Sequence, residues 1–355
     1  IETSGLAMNV VVENGIGYLT NESLESGQGI LDIVDIRDSM HPKLANIQSL
    51  PYAVEALRLA NGRLYTIGGG FIHVFDVGPN FTASVVSGGT WPGLAYDLSI
   101  SGNTIVVAAK VGNASNGNAN PSGLRVITQE SNKLLATGRF ATIGWIGRVQ
   151  LSSHWVALAG ISRSPRLEEL FIVNRMSPLD VADASAGLSI GRIQEIGLSE
   201  QFSFVASWNV DTPIAGGGLR VVDIENPTTP KLISALDIEG AAQTLDIVGD
   251  IVYVGGGTGL TVVNMSDKSK PVKIAQLANP DSQRSIALRV SKNILYLIAS
   301  GVNGSRTSSI LVVIDATSPS RLEVLDIEPL SMGARDMEVS ENRLYVTGSR
   351  GLITF

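Results

Sequence analysis

Cysteine is absent from all 355 residues, which removes disulfides, thiolate nucleophiles and Cys-ligated zinc together while leaving the redox compartment open. Histidine is scarce: His41, His73 and His154 stand far apart, so no His-x-x-x-His pair offers a metal site. No Gly-x-Ser-x-Gly elbow is present, and Gly68-Gly69-Gly70 and Gly255-Gly256-Gly257 read as tight loops with no helix behind them to hold a phosphate. Neither a cofactor nor a metal is therefore expected. Charged residues make up only 17% and the formal net charge is −7, which disfavours attraction to phosphate backbones, so nucleic acid is not an expected partner. No apolar run approaches the roughly 18 residues that span a bilayer, and no signal peptide is visible. The chain opens on Ile1, from which a processed or excised chain is expected. Sequons at Asn21, Asn80, Asn113, Asn264 and Asn303 are what an Asn- and Ser-rich chain produces by chance.

What is present is a repeat. An alternating apolar strand, a two-residue polar turn into a second strand and a Leu-x-Val-Val-Asp third strand return eight times, most clearly from Gln243 to Asn264. The copies align on Tyr18, Tyr65, Val106, Ala157, Phe204, Tyr253, Tyr296 and Tyr345, with successive anchors 41 to 51 residues apart. That period fits one four-stranded propeller blade. The expected fold is an all-β propeller, one domain over residues 1–355, of eight four-stranded blades. The repeat units fall at 7–50, 53–92, 95–143, 145–190, 192–240, 241–282, 283–332 and 334–355.

Apolar residues stand eight and six positions before each anchor, as Val10 and Val12 or Leu57 and Leu59, and mark one buried strand face. Asn14-Gly15, Asn61-Gly62, Gly102-Asn103 and Gly249-Asp250 then supply the positive φ that a tight hairpin needs. The third strand is apolar almost throughout, as a strand sandwiched between neighbouring blades should be. It usually closes on Asp or Asn, read as a turn device rather than a catalytic group. A proline-rich turn and a short outer strand such as 231–238 complete the unit.

The segments GLRVVDIENPTTPKLISAL, with its following IVYVGGG, and GILDIVDIRDSMHPKLANI resemble the LVIVD repeat of secreted or surface-anchored prokaryotic proteins. The third and fourth units depart from it, with Thr128 and Asn174 in place of the Asp. The resemblance implies a propeller fold and an extracellular, cell-surface or periplasmic address, and no shared activity. The last unit stops at Phe355 before its outer strand, and residues 1–6 look too few to supply one. A segment outside the chain is expected to complete the last blade, as part of a longer protein.

Loops between second and third strands are long in blades 1, 3, 4, 5 and 7 and share one face in propeller topology. Binding is expected there. Trp91, Trp145 and Trp208 fall on that face as candidate recognition residues, or as caps over blade cores. Arg163, Arg166 and Asp211 add charge beside them and could grip an anionic group, or simply be solvated. Trp155, inside a strand, reads as core. Seven and nine positions before the anchors stand Arg58, Asp97, Arg148, Glu195, Asp246, Arg289, Asp336 and Glu338, expected to line the channel as a structural ring or as a central small-molecule or cation site. The expected role is noncatalytic: a surface scaffold meeting a protein partner or larger assembly through the long-loop face. The alternative is a glycan-binding or glycan-hydrolysing propeller, in which those tryptophans stack on sugars near dispersed acids.

Overall fold

The computed structural model describes residues 1–23, 26, 28–38, 40–90, 93–110, 123–141, 146–161, 168–174, 188–208, 217–226, 228–279, 284–303, 306–340 and 342–355. Every regular element among them is a β-strand. Blade 1 is a four-stranded antiparallel meander, Leu6–Glu13, Ile16–Glu22, Gly29–Asp35 and Lys43–Leu50, and six further sheets repeat that order. The eighth sheet has three strands, Ala334–Ser340, Arg343–Gly348 and Gly351–Thr354. The innermost strands contact one another in succession, and that of blade 8 contacts that of blade 1, so the sheets form a closed ring.

Local chemistry builds each blade. Asn14, Gly15, Asn61 and Gly62 all have positive φ, the geometry of a two-residue hairpin that matches strand twist. At the end of the third strand Asp35, Asp223, Asn264 and Asp315 each accept, through Oδ1, the N–H two residues ahead at 2.8–3.1 Å. That side chain starts the turn to the outer strand. Bonds from the Thr317 side chain and backbone also hold Asp315 below the usual carboxylate range, as bonds from the Arg37 side chain and backbone do Asp35.

The core is eight apolar clusters, one at each blade junction. Between blades 3 and 4, for example, Val106, Ala108, Leu124 and Val126 pack against Val149, Leu151, Val156 and Leu158. Residues eight before the anchor enter these clusters, as Val10, Leu57, Leu98 and Leu288 do. The outer strands remain exposed, as in Lys43–Leu50 and Glu323–Leu330.

Two features differ from the sequence expectation. In blade 4 the outer strand among the described residues is only Leu188–Ser189. The first six residues also reach the last blade. Ile1 donates to the Leu352 carbonyl at 2.9 Å and accepts from the Leu352 N–H at 3.1 Å. The unpaired edge draws this partner, and Gly351, at φ +117°, leaves room for it: a Cβ there would lie 2.2 Å from the Ile1 carbonyl oxygen. The Ser4 N–H then donates to Asp32 at 2.8 Å, fastening the segment to blade 1. Asp32 is fully buried, which pushes its carboxyl up. Asn21 beside it is 1% exposed, a sequon with no outlet for a glycan.

Candidate functional site

The innermost strand of every blade pairs on one side only, so alternate backbone N–H groups point at the ring axis and need acceptors. Carboxylates from the preceding blade supply them. Asp97 of blade 3 accepts the Val149 N–H of blade 4 at 3.1 Å, and Glu195 of blade 5 accepts Leu245 N–H of blade 6 at 2.8 Å. Asp246 of blade 6 takes Val290 N–H of blade 7 at 2.8 Å, and Asp336 of blade 8 takes Val10 N–H of blade 1 at 3.2 Å. The second oxygen of each Asp binds the N–H of its own next residue, in Leu98, Ile247 and Met337. One carboxylate thereby bridges the free edges of two blades. These four acids of the channel wall are acceptors for amides that no strand can reach.

Arginines occupy other places on this wall. Arg58 donates to Asp97 at 2.8 Å and to the Leu57 carbonyl, and Arg289 donates to the Leu288 carbonyl at 2.7 Å. Burial pushes the Asp336 and Glu338 carboxyls up, against the pull of Arg289 and Arg58, and the Asp336 charge pushes Glu338 further. These groups surround an axial cavity of about 690 Å³ to which all eight blades contribute. Arg58, Asp97, Arg148 and Glu195 line it together with Asp246, Arg289, Asp336 and Glu338.

A repeated irregularity shapes the mouth. In seven of the eight innermost strands the ladder skips one residue: Met8, Tyr96, Gly147, Gln194, Gln243, Ile286 and Arg335. In blade 2 the corresponding residue, Glu55, precedes the strand. Such bulges re-aim a side chain out of the pleat. Glu55, Tyr96, Gln194, Gln243, Ile286 and Arg335 all line the cavity, at its long-loop end. Burial raises the Glu55 carboxyl and the Tyr96 phenol, and the Glu55 charge adds to the latter. Sequence reasoning passed over this position because the alternation of buried residues begins only after it. The recurrence of Glu55, Gln194, Gln243 and Arg335 ten residues before their anchors was the available signal.

Of the loop candidates, Trp208 alone lies among the described residues. It is 39% exposed at the end of its strand, and the Arg192 guanidinium stands over its ring at 5.8 Å. That face of the indole is already occupied by a cation. Trp91, Trp145, Arg163, Arg166 and Asp211 lie outside the described residues. The three histidines stay apart. His73 accompanies Tyr52, whose hydroxyl lies 2.7 Å from His73 Nδ1 and 2.8 Å from Thr66 Oγ1. His41 bonds Asp38, and His154 bonds Ser153.

Antiparallel sheets closed into a ring about an axial cavity define a β-propeller, here with eight blades. Residues 190–237 and 239–277, in its fifth and sixth blades, match the LVIVD repeat family. Among solved structures, BamB from Moraxella catarrhalis is similar at 11% identity and a TM-score of 0.64, covering 100% of this chain and 98% of that one. Sqt1 from Chaetomium thermophilum is similar at 12% identity and a TM-score of 0.74, covering 99% and 95%. The Dos1 propeller gives 14% identity and a TM-score of 0.73, covering 100% and 93%. At such identities the likeness is one of fold alone. No curated protein sequence matches the chain. No helix among the described residues is long and apolar enough to cross a membrane.

Proposed function

We propose that this propeller is a noncatalytic scaffold acting outside the cytoplasm, and that it receives a protein partner on the face where the channel mouth opens. One observation carries the reading: segments joining second to third strands vary widely in length on that face. They shrink to Gly69-Gly70, Gly257-Thr258 and Ser349-Arg350 in blades 2, 6 and 8, but span residues 111–122 and 209–217 in blades 3 and 5. A fold needs only the short form, and length beyond it collects where recognition happens. The rim beneath them offers hydrogen-bonding side chains in Tyr96, Gln194, Gln243 and Arg335. The three aspartates lining the channel do not resemble a hydrolytic pair, since Asp97, Asp246 and Asp336 each have both oxygens bonded to backbone amides. The extracytoplasmic address rests on the LVIVD repeats.

Site-specific photo-crosslinking in native cells tests this. A photoreactive residue replacing Trp208 or Arg335 should label one defined protein, while one replacing Asn61 or Asn342, in hairpins of the opposite face, should not. Equal labelling from both faces, or none from the channel-mouth face, overturns the proposal.

A further inference from the structure

Among the described residues the bridging carboxylates occur at four of the eight junctions, and of those without one the junction between blades 4 and 5 has the chemistry of a binding site. The residue nine before the anchor is Asp97, Glu195 and Asp336 in blades 3, 5 and 8, and each takes an edge amide of the next blade. In blade 4 the same register position holds Arg148, and the edge amide in the register of Val149, Leu245 and Val10 is that of Ile196; both residues line the cavity. Two positions on, where Ser99 accepts Leu151 N–H at 3.1 Å and Asp246 accepts Val290 N–H, blade 4 holds Gln150, and the edge amide in that register is that of Leu198. No described side chain accepts from Ile196 or Leu198, and Arg148 makes no ion pair with a described residue. A guanidinium fork thus stands at the register where blades 3, 5 and 8 place a carboxylate, beside an edge amide that has no side-chain acceptor among the described residues.

We propose that this junction binds the carboxylate of a small organic acid entering the channel from the long-loop mouth. The ligand's two oxygens take the place of the missing Asp, one on the Ile196 amide and one or both on Arg148, whose planar fork matches a carboxylate. The cavity of about 690 Å³ falls within the range usual for small-molecule sites. Asp97 and Asp246 do not repel the ligand strongly, because each is already countered by two amide dipoles. Gln150 and Gln194 lie on the same wall to receive the remainder of the molecule. This site is independent of any protein docked on the loops.

Calorimetric titration of the whole chain with succinate and, separately, inorganic phosphate tests the assignment. Succinate should bind the wild type, and Arg148→Gln should weaken it by about tenfold or more, the loss expected for a charge-assisted bond. Arg148→Asp is the decisive variant. By placing there the carboxylate that blades 3, 5 and 8 carry at this register, it should hold or raise the melting temperature while abolishing succinate binding. The proposal is overturned if succinate at about 10 mM gives no binding, or if Arg148→Asp still binds it. Phosphate binding as tight as succinate would overturn the carboxylate assignment in favour of a general oxyanion site.

Discussion

Replacing Asp97 with Ala should destabilise the ring far more than its place on a channel wall suggests. The carboxylate is 6% exposed and accepts Leu98 N–H at 2.9 Å, Val149 N–H at 3.1 Å and Arg58 Nη2 at 2.8 Å. Hydrogen bonds from amides to a charged acceptor are worth about 1.5–3 kcal/mol each. The low end applies here, because water in the channel can reach amides left unpaired. The Arg58 side chain is 44% exposed, so its ion pair adds no more than about 1 kcal/mol after screening. The net loss is about 2–4 kcal/mol, equivalent to a fall of about 3–5 °C in melting temperature for a chain of this size. Asp97→Asn should fare little better, since its amide nitrogen cannot accept. Asp223→Ala, which removes only an exposed turn bond to Glu225, should cost about 1 kcal/mol or less. Melting curves at one fixed scan rate compare the three, as a ring of this size need not unfold in two states. The reasoning fails if Asp97→Ala melts within about 1 °C of the wild type, or no lower than Asp223→Ala.

The Glu338 carboxyl is raised from 4.5 by burial and by Asp336, so the folded chain binds protons more tightly than the unfolded one, and unfolding free energy falls as pH climbs through the raised value. Glu338→Gln removes that contribution, and urea midpoints should decline less steeply than the wild type's between about pH 4.5 and pH 7; parallel declines would refute it. Gly351→Val, whose Cβ would lie 2.2 Å from the Ile1 carbonyl, should displace the first residues and cost about 1–3 kcal/mol. Hydrogen exchange at the Leu352 amide should quicken, and unchanged protection would show that the Ile1 bridge contributes nothing.

The repeat was legible because packing between blades writes it into the sequence. All eight anchors fall in second strands, from Tyr18 in Ile16–Glu22 to Tyr345 in Arg343–Gly348. Asn14-Gly15 and Asn61-Gly62 take the positive φ that their residue types favour. The parts that escaped depend on partners far away in the chain. The Ile1–Leu352 bridge joins residues 351 positions apart, and nothing about Ile1 as a residue marks it as a strand partner. The charges of Asp97 and Asp336 were visible, but not their task, because an unpaired edge amide has no signature in the side chains around it. The rim was hidden for a different reason: a bulge breaks the period of two on which strand reading relies.

That break in period frees the rim from the demands of the core. Of the residues at the bulge position only Ile286 packs into an inter-blade cluster, while its counterparts range from Gly147 to Tyr96, Gln243 and Arg335 over nearly the same ladder. A tandem duplication that copies a blade copies its packing rules but leaves this one residue unconstrained. Chain order then becomes direction: the number of the repeat fixes the bearing at which its rim side chain looks into the mouth. The ring carries a six-letter compass inscription, in which every letter but the packed Ile286 can change without respelling the fold.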